Sequence, residues 1–169
     1  MDLHLKDKVV IVTGGSEGIG RAAAWRFSSE QANVVICARR ISVLEEAANS
    51  IQSQTGVDVT PIVADVNNPQ QLKSMVDQVI RTFGRIDVLV NNAGTAAAKK
   101  FEEVTDAEWY ADIDLKLMGA IRCSKFVIPQ MKKQGGGKII NITHVGGKAP
   151  PSHSTPSSVT RAAGIALTK

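Results

Sequence analysis

Aromatic side chains are scarce in this 169-residue chain, 4% of the whole, with a single tyrosine, Tyr110. They are too few to build base-stacking platforms, and the basic residues are scattered, so nucleic acid is not expected as a partner. The charge imbalance is also slight: 20 Lys and Arg against 16 Asp and Glu give a formal +4, enough only for weak steering of anionic ligands. Cysteine is nearly missing. Cys37, in an apolar run, and Cys123, in a helical segment, make neither a disulfide framework nor a zinc site; they read as reduced, buried thiols of a cytoplasmic protein. No apolar stretch approaches the roughly 20 residues needed to cross a bilayer, so no membrane span is expected. The start, Met1-Asp2-Leu3-His4-Leu5-Lys6, is polar and lacks the pattern of a secretory signal.

What is present is an ordinary globular composition, 43% hydrophobic and 21% charged. The length suits one domain over residues 1–169. Apolar runs alternate with longer amphipathic segments. Val9-Val10-Ile11-Val12 does not alternate in polarity and reads as a strand buried on both faces. Residues 20–30 read as a helix and 33–38 as a second strand. Ser42 with Glu45 suggests a capping box opening a helix that stops near Thr55-Gly56. A third strand over 57–64 carries Pro61, which confines it to a sheet edge.

Asn68-Pro69-Gln70-Gln71 has a capping asparagine, proline at the first helical position and Gln71 in the reach-back place. Residues 86–90 read as the fourth strand. Thr105 and Glu108 form a further capping box before a long helix towards Met131, and Gly135-Gly136-Gly137 turns the chain into a fifth strand over 138–142. A loop rich in Pro and Ser, 148–158, leads to a helical pattern still running at Lys169. Alternating strands and helices imply a parallel, doubly wound α/β sheet of Rossmann type with helices on both faces. The order 3-2-1-4-5 puts the proline-bearing strand at an edge.

Thr13-Gly14-Gly15-Ser16-Glu17-Gly18-Ile19-Gly20 joins the first strand to the first helix. A pyrophosphate at such a turn sits on free backbone N–H groups at the helix N-terminus. Gly14 permits the tight turn, while Gly18 and Gly20 keep a Cβ out of the way of close approach. The strand–turn–helix context turns a weak glycine pattern into a nucleotide-binding expectation.

The spacing Thr-Gly-x-x-x-Gly-Ile-Gly, together with Asn91-Asn92-Ala93-Gly94 after the fourth strand, resembles the short-chain dehydrogenase/reductase family. The resemblance runs from Lys8 to Lys169, and its general pattern is that of 3-oxoacyl-carrier-protein reductases, one shared by many subfamilies. It implies contacts to a dinucleotide from the glycine turn, from Asn92, Ala93 and Gly94, and from Asp65 and Val66 on the adenine side. In this fold an acid about 20 residues past the glycine turn binds a ribose 2′-hydroxyl. Here the second strand ends Cys37-Ala38-Arg39-Arg40, with no acid. Arg39 suits a 2′-phosphate, which favours NADP(H) over NAD(H). Glu17 argues the other way, since many NADP-binding relatives carry a basic residue there; a solvated Arg39–Arg40 surface pair is the plainer reading.

Family members normally carry an Asn–Ser–Tyr–Lys catalytic set, and all four positions are substituted here. Counting from Trp109, the Asn position falls on Lys116; within Asn141-Ile142-Thr143-His144, the Ser position falls on His144, with Thr143 beside it. The Tyr-x-x-x-Lys motif becomes Ser157-Ser158-Val159-Thr160-Arg161, and no lysine lies four residues after Tyr110. Serine is not expected to replace the tyrosine, because an alkyl hydroxyl is a far weaker acid than a phenol of pKa about 10. Arg161 keeps the positive charge for the ribose but exchanges no protons.

Two readings stay open. In one, the chain is a divergent reductase of small carbonyl or alcohol substrates, with His144 as proton donor, Thr143 or Ser157 orienting the carbonyl and Arg161 on the ribose. In the other it is a non-catalytic nucleotide-binding subunit, with His144 merely bonded to its loop and Lys116 snorkelling from a helix. The resemblance further implies subunit pairing into a homodimer or homotetramer through the long helix from about Asp106 and the last helix; Leu117, Ile121 and Val127 need cover. Gln31 stands where relatives place a helix-ending glycine. Relatives also continue past the last helix through further strands and a substrate-covering loop, so a longer protein is expected, and without those strands the fifth would be an open edge.

Overall fold

The computed structural model describes residues 3–169; Met1 and Asp2, which begin the polar start read above, lie outside the described residues. The first half of the chain runs Val9–Thr13 (β1), Gly18–Ser29 (α1), Asn33–Ala38 (β2), Ile41–Thr55 (α2), Val59–Val63 (β3), Pro69–Phe83 (α3) and Val88–Asn91 (β4). A two-residue strand, Ala98–Lys99 (β5), precedes Asp106–Ile113 (α4) and Gly119–Lys133 (α5). Lys138–Asn141 (β6), Thr155–Pro156 (β7) and Ser157–Leu167 (α6) follow.

The main sheet is parallel, in the order β3-β2-β1-β4-β6. This is the expected Rossmann-like 3-2-1-4-5 order, its last strand numbered sixth because β5 intervenes. Proline-bearing β3 occupies one edge, as the missing N–H of Pro61 requires. β6 occupies the other edge, where Ile140 is 41% exposed. The unbroken apolar run of β1 serves two cores at once. Val9 and Ile11 pack with Met75, Val79 and Cys123 under α3 and α5, while Val10 and Val12 pack with Ala24, Leu44 and Ile51 under α1 and α2.

The register aligns Thr13 with Cys37 and Val12 with Val90, so β1, β2 and β4 all end at the same rim of the sheet. The glycine turn, Arg39-Arg40 and Asn92-Ala93-Gly94 therefore leave the sheet side by side. Parallel α/β sheets bind ligands at this rim.

Several local expectations are corrected. Ser42 and Glu45 form no capping box: α2 begins two residues earlier, at Ile41, with Arg40 rather than Ser42 at its N-cap and no side-chain cap. Only two residues separate β2 from α2, which leaves no room for a longer approach. Asn68 caps α3 as expected, accepting from the N–H groups of Gln70 and Gln71 at 3.0 and 3.1 Å. Gln71, however, reaches past the cap to accept from the Asp65 N–H at 2.8 Å. The Thr105–Glu108 box forms in full.

The long helix is interrupted by a π-helical turn over Asp114–Met118, between α4 and α5. Val127 needs no partner subunit, being 0% exposed within the chain's own core. The pattern read through Lys169 stops at Leu167, where Thr168 turns its hydroxyl back onto the Gly164 carbonyl at 2.9 Å. Cys37 and Cys123 are free, buried thiols. Burial pushes the Cys37 thiol up to about 12 and the Cys123 thiol higher still, so both are inert near neutral pH.

Gln31 adopts φ 63°, the left-handed conformation that ends α1. Its N–H bonds to the Ser28 carbonyl at 2.9 Å and that of Ala32 to Phe27 at 3.2 Å, the paired bonds of a Schellman close. A residue with a Cβ is strained there by about 1 kcal/mol or more. Gln31→Gly is expected to stabilise the fold by about 1 kcal/mol. A higher urea midpoint with unchanged slope is the check; an unmoved or lower midpoint contradicts the strain.

Candidate functional site

The sheet rim opens on a cavity of about 810 Å³, within the range of small-molecule and cofactor sites. Its floor is the glycine turn, and one clasp fixes that turn. The Thr13 hydroxyl donates to the Val90 carbonyl at 3.3 Å and accepts from the N–H groups of Asn92 and Ala93, both at 3.0 Å. The Asn92 side-chain amide donates to the carbonyls of Thr13 and Gly14 at 3.0 and 3.1 Å. Thr13 and Asn92 thus spend their polar groups on each other's strands. A Cβ on Gly20 would collide with the Gly14 carbonyl and the Asn92 amide, which leaves glycine as the one residue that fits. Thr13 and Gly20 lie behind the cavity wall; Gly14, Ser16, Gly18 and Ile19 line it. Gly18, at φ +54°, has open space where a Cβ would point.

The two arginines after β2 part company. Arg40 pairs with Glu17 at 2.5 Å, whereas Arg39 lines the cavity with no partner among the described residues. The acid that argued against a 2′-phosphate is thereby neutralised by the second arginine. Asp65 and Val66 line the far side, the Asp65 carboxylate accepting from the Asn67 N–H at 2.9 Å. Ala93 and Gly94 close the wall opposite the turn, with Gly94 lying against the Arg161 guanidinium. Arg161 donates to the Ile142 carbonyl at 2.6 Å, and burial pulls its guanidinium below the ordinary value, although arginine stays charged.

Lys116, His144, Ser157 and Arg161, the four residues expected from the sequence to stand at the catalytic positions, converge at one end of this cavity. His144 and Ser157 line it, as does Arg161. The His144 ring accepts the Gly146 N–H at Nδ1, 3.0 Å away, which leaves Nε2 carrying the proton of the neutral ring. The histidine is bonded to its loop and faces the cavity as well. Lys116 does not snorkel. Its side chain is 1% exposed, within the π turn between α4 and α5. Its ammonium forms an ion pair with Asp112 and donates to the Ser157 hydroxyl at 2.6 Å.

Burial pulls the Lys116 ammonium below the ordinary lysine value; Asp112 opposes that shift, while the charge of Arg161 adds to it. Asp112 in turn accepts from the Thr160 hydroxyl at 2.7 Å. Asp112 and Thr160 went unnoticed in the sequence. The signal for Asp112 was its place four residues before Lys116, on the same helix face. Tyr110 stands apart, 72% exposed on α4 and outside the cavity lining. Among the described residues no cluster of His, Cys, Asp and Glu fits a metal ion, and no helix is long and apolar enough to cross a membrane.

These features lie at the rim where parallel α/β sheets take ligands, and comparison with known proteins names the family. The family described as short chain dehydrogenase matches residues 8–169, and the chain belongs to it. It is 34% identical over 169 residues to the protein named Uncharacterized oxidoreductase YvrD of Bacillus subtilis (strain 168), covering 100% of this chain and 63% of the relative. Among solved structures it is similar to L-sorbose reductase from Gluconobacter frateurii complexed with NADPH and L-sorbose. That likeness has a TM-score of 0.94 and 36% identity over 99% of this chain and 64% of the other. NAD+-bound xylitol dehydrogenase matches with a TM-score of 0.93 and 31% identity, over 97% of this chain and 63% of the other. The chain thus spans a little under two thirds of the length of these three.

The Thr160–Asp112 bond engages a buried charge, the kind whose loss costs about 2 kcal/mol. Thr160→Val, which keeps the shape and removes the hydroxyl, is expected to destabilise the fold by about that amount, while Thr160→Ser keeps most of it. Chemical denaturation of both variants is the check, and equal stability of Val and Thr would remove Thr160 from the network.

Proposed function

We propose that this chain is an NADP(H)-dependent oxidoreductase that moves a hydride between a nicotinamide and a small carbonyl or alcohol, using a non-standard set of polar residues. The observation that carries the coenzyme choice is the unpaired Arg39 at the rim beside an Arg40 already neutralised by Glu17. The residues present fit a dinucleotide. Gly20 has no room for a Cβ, Gly18 leaves open space over the turn at φ +54°, and the cavity extends from Arg39 to Ser157 and Arg161. The turn residues Gly14, Ser16, Gly18 and Ile19 would hold the diphosphate, Asp65 and Val66 the adenine, and Ala93, Gly94 and Arg161 the nicotinamide ribose. Thr13, Gly20 and Asn92 hold the turn itself. When bound, the coenzyme supplies or accepts the hydride.

For the carbonyl, His144 offers the Nε2 proton as a hydrogen-bond donor. Giving that proton away calls for a doubly protonated ring, and protonating Nδ1 breaks the Gly146 bond. We therefore assign His144 to orienting the substrate, in place of the proton donation expected of it from the sequence. The sorbose and xylitol of the two structural neighbours support a small polyhydroxylated substrate class. A cytoplasmic setting, supported by two free buried thiols, and assembly into a homodimer or homotetramer belong to the same proposal. The alternative, a non-catalytic nucleotide-binding subunit, is favoured by one observation: the lone tyrosine lies outside the cavity.

Calorimetric titration is expected to give tighter binding of NADPH than of NADH. Arg39→Ala should weaken NADPH by roughly tenfold to a hundredfold, the loss of one charge-assisted contact, and leave NADH unaltered. Tighter NADH binding, or an indifferent Arg39→Ala, rejects the coenzyme assignment. A ketone and alcohol panel then separates the two readings, since turnover of any member removes the non-catalytic one. His144→Ala is expected to lower kcat about a hundredfold with NADPH affinity preserved. An unchanged rate takes His144 out of the mechanism.

A further inference from the structure

The hydroxyl of Ser157 is held by two donors. Lys116 Nζ donates to Oγ at 2.6 Å, and the Ala97 N–H donates at 3.1 Å. The Ser157 N–H returns a bond to the Ala97 carbonyl at 3.2 Å, and the β5–β7 pairing beside it fixes Ala98 opposite Pro156. Both lone pairs of Oγ are thus occupied, and among the described residues no acceptor takes its O–H. Ser157 lines the cavity, so the one direction left for that proton is towards whatever oxygen the cavity holds. Behind it the ammonium is kept charged by Asp112, itself anchored by Thr160, and pressed by the positive charge of Arg161 across Gly94.

We propose that Lys116 and Ser157 form a proton relay in which the serine hydroxyl passes its proton to a carbonyl oxygen in the cavity while the buried ammonium replaces it. This rests on the oxidoreductase reading above. As the carbonyl carbon takes a hydride from a reduced nicotinamide, its oxygen gains an electron pair and forms an O–H bond with the Ser157 proton. The Ser157 Oγ–H bond breaks and a new one forms with a proton from Lys116 Nζ, leaving a neutral amine. A cleft of about 20 Å³ bordered by Lys116, Asn141 and Thr143 admits one water molecule, by which that amine regains a proton from solvent. Oxidation of an alcohol runs the same steps backwards.

The relay answers the objection that serine is too weak an acid. Alone it is, but an oxygen that receives one proton as it releases another never carries a full negative charge. It also separates this site from a serine nucleophile with a lysine base, which needs a neutral amine at rest; the Asp112 pair holds the opposite state. Ser157 is the catalytic residue here, Lys116 acts through it, and Asp112 and Thr160 are positioning residues.

The test combines a readout in the protein without coenzyme with a kinetic one. In lysine-labelled protein, the Lys116 side-chain carbon signal, assigned by its loss in Lys116→Arg, is expected to titrate at lower pH than the other lysines and to move in Ser157→Ala. With a substrate found in the panel, Ser157→Ala should lower kcat about a hundredfold or more, Ser157→Thr should stay within about tenfold of the parent, and NADPH affinity should hold within about twofold in both. The reduction rate should fall as pH rises through the Lys116 titration. A Lys116 signal that titrates with the surface lysines overturns the relay, and so does a Ser157→Ala rate within threefold of the parent. Should no carbonyl be reduced, the oxidoreductase reading falls; a Lys116 signal that still responds to Ser157→Ala then supports the proton coupling, and an indifferent one removes it too.

Discussion

The hydroxyl of Thr13 joins the ends of two neighbouring strands, and the geometry of the whole rim follows from it. One oxygen accepts the N–H groups of both Asn92 and Ala93 while its proton goes to Val90, and the Asn92 amide returns two bonds to the carbonyls of Thr13 and Gly14. Buried polar groups at strand ends are costly unless paired, and here each satisfies the others. The clasp holds the glycine turn against the Asn92–Gly94 segment, and both border the cavity. Because β1 is buried on both faces, neither strand can shift to relieve a misfit at the clasp without disturbing two cores.

At the other end of the cavity the constraint is electrostatic. A lysine ammonium with 1% of its side chain exposed persists because Asp112 neutralises it and Ser157 accepts from it. Asp112 persists because Thr160 donates to it. The four side chains come from two helices and a π turn. Lys116 lies in that turn, four residues after Asp112 and paired with it in the interior.

The sheet was readable in the sequence because its signals are local and redundant: unbroken apolar runs at β1, β2 and β4, proline in the edge strand and the glycine turn in its proper context. The rim motifs were readable for the same reason, since residues close in sequence at strand ends are close in space. What escaped was tertiary. Gln71 had two N–H groups within reach, and only the folded loop chose Asp65 over the cap. Ser42 looked like a cap because the sequence does not reveal how short the tether from β2 is. Lys116 looked like a surface lysine because nothing local to a helical lysine marks it as buried. Asp112 was a visible partner four positions away, but its meaning depended on the helix facing inward at that point. The two-residue ribbon of β5 and β7 is too short for any periodicity, and yet it positions Ala97 against Ser157.

The buried Asp112–Lys116 pair also limits how this chain and its neighbours in sequence space can diverge. Replacing either member alone strands a charge in the interior, a loss of several kcal/mol that few domains tolerate. Replacing both together costs little. Positions 112 and 116 are therefore coupled: a change of charge at one calls for a matching change at the other. Thr160 extends that coupling to a third position, since its hydroxyl bonds the same carboxylate.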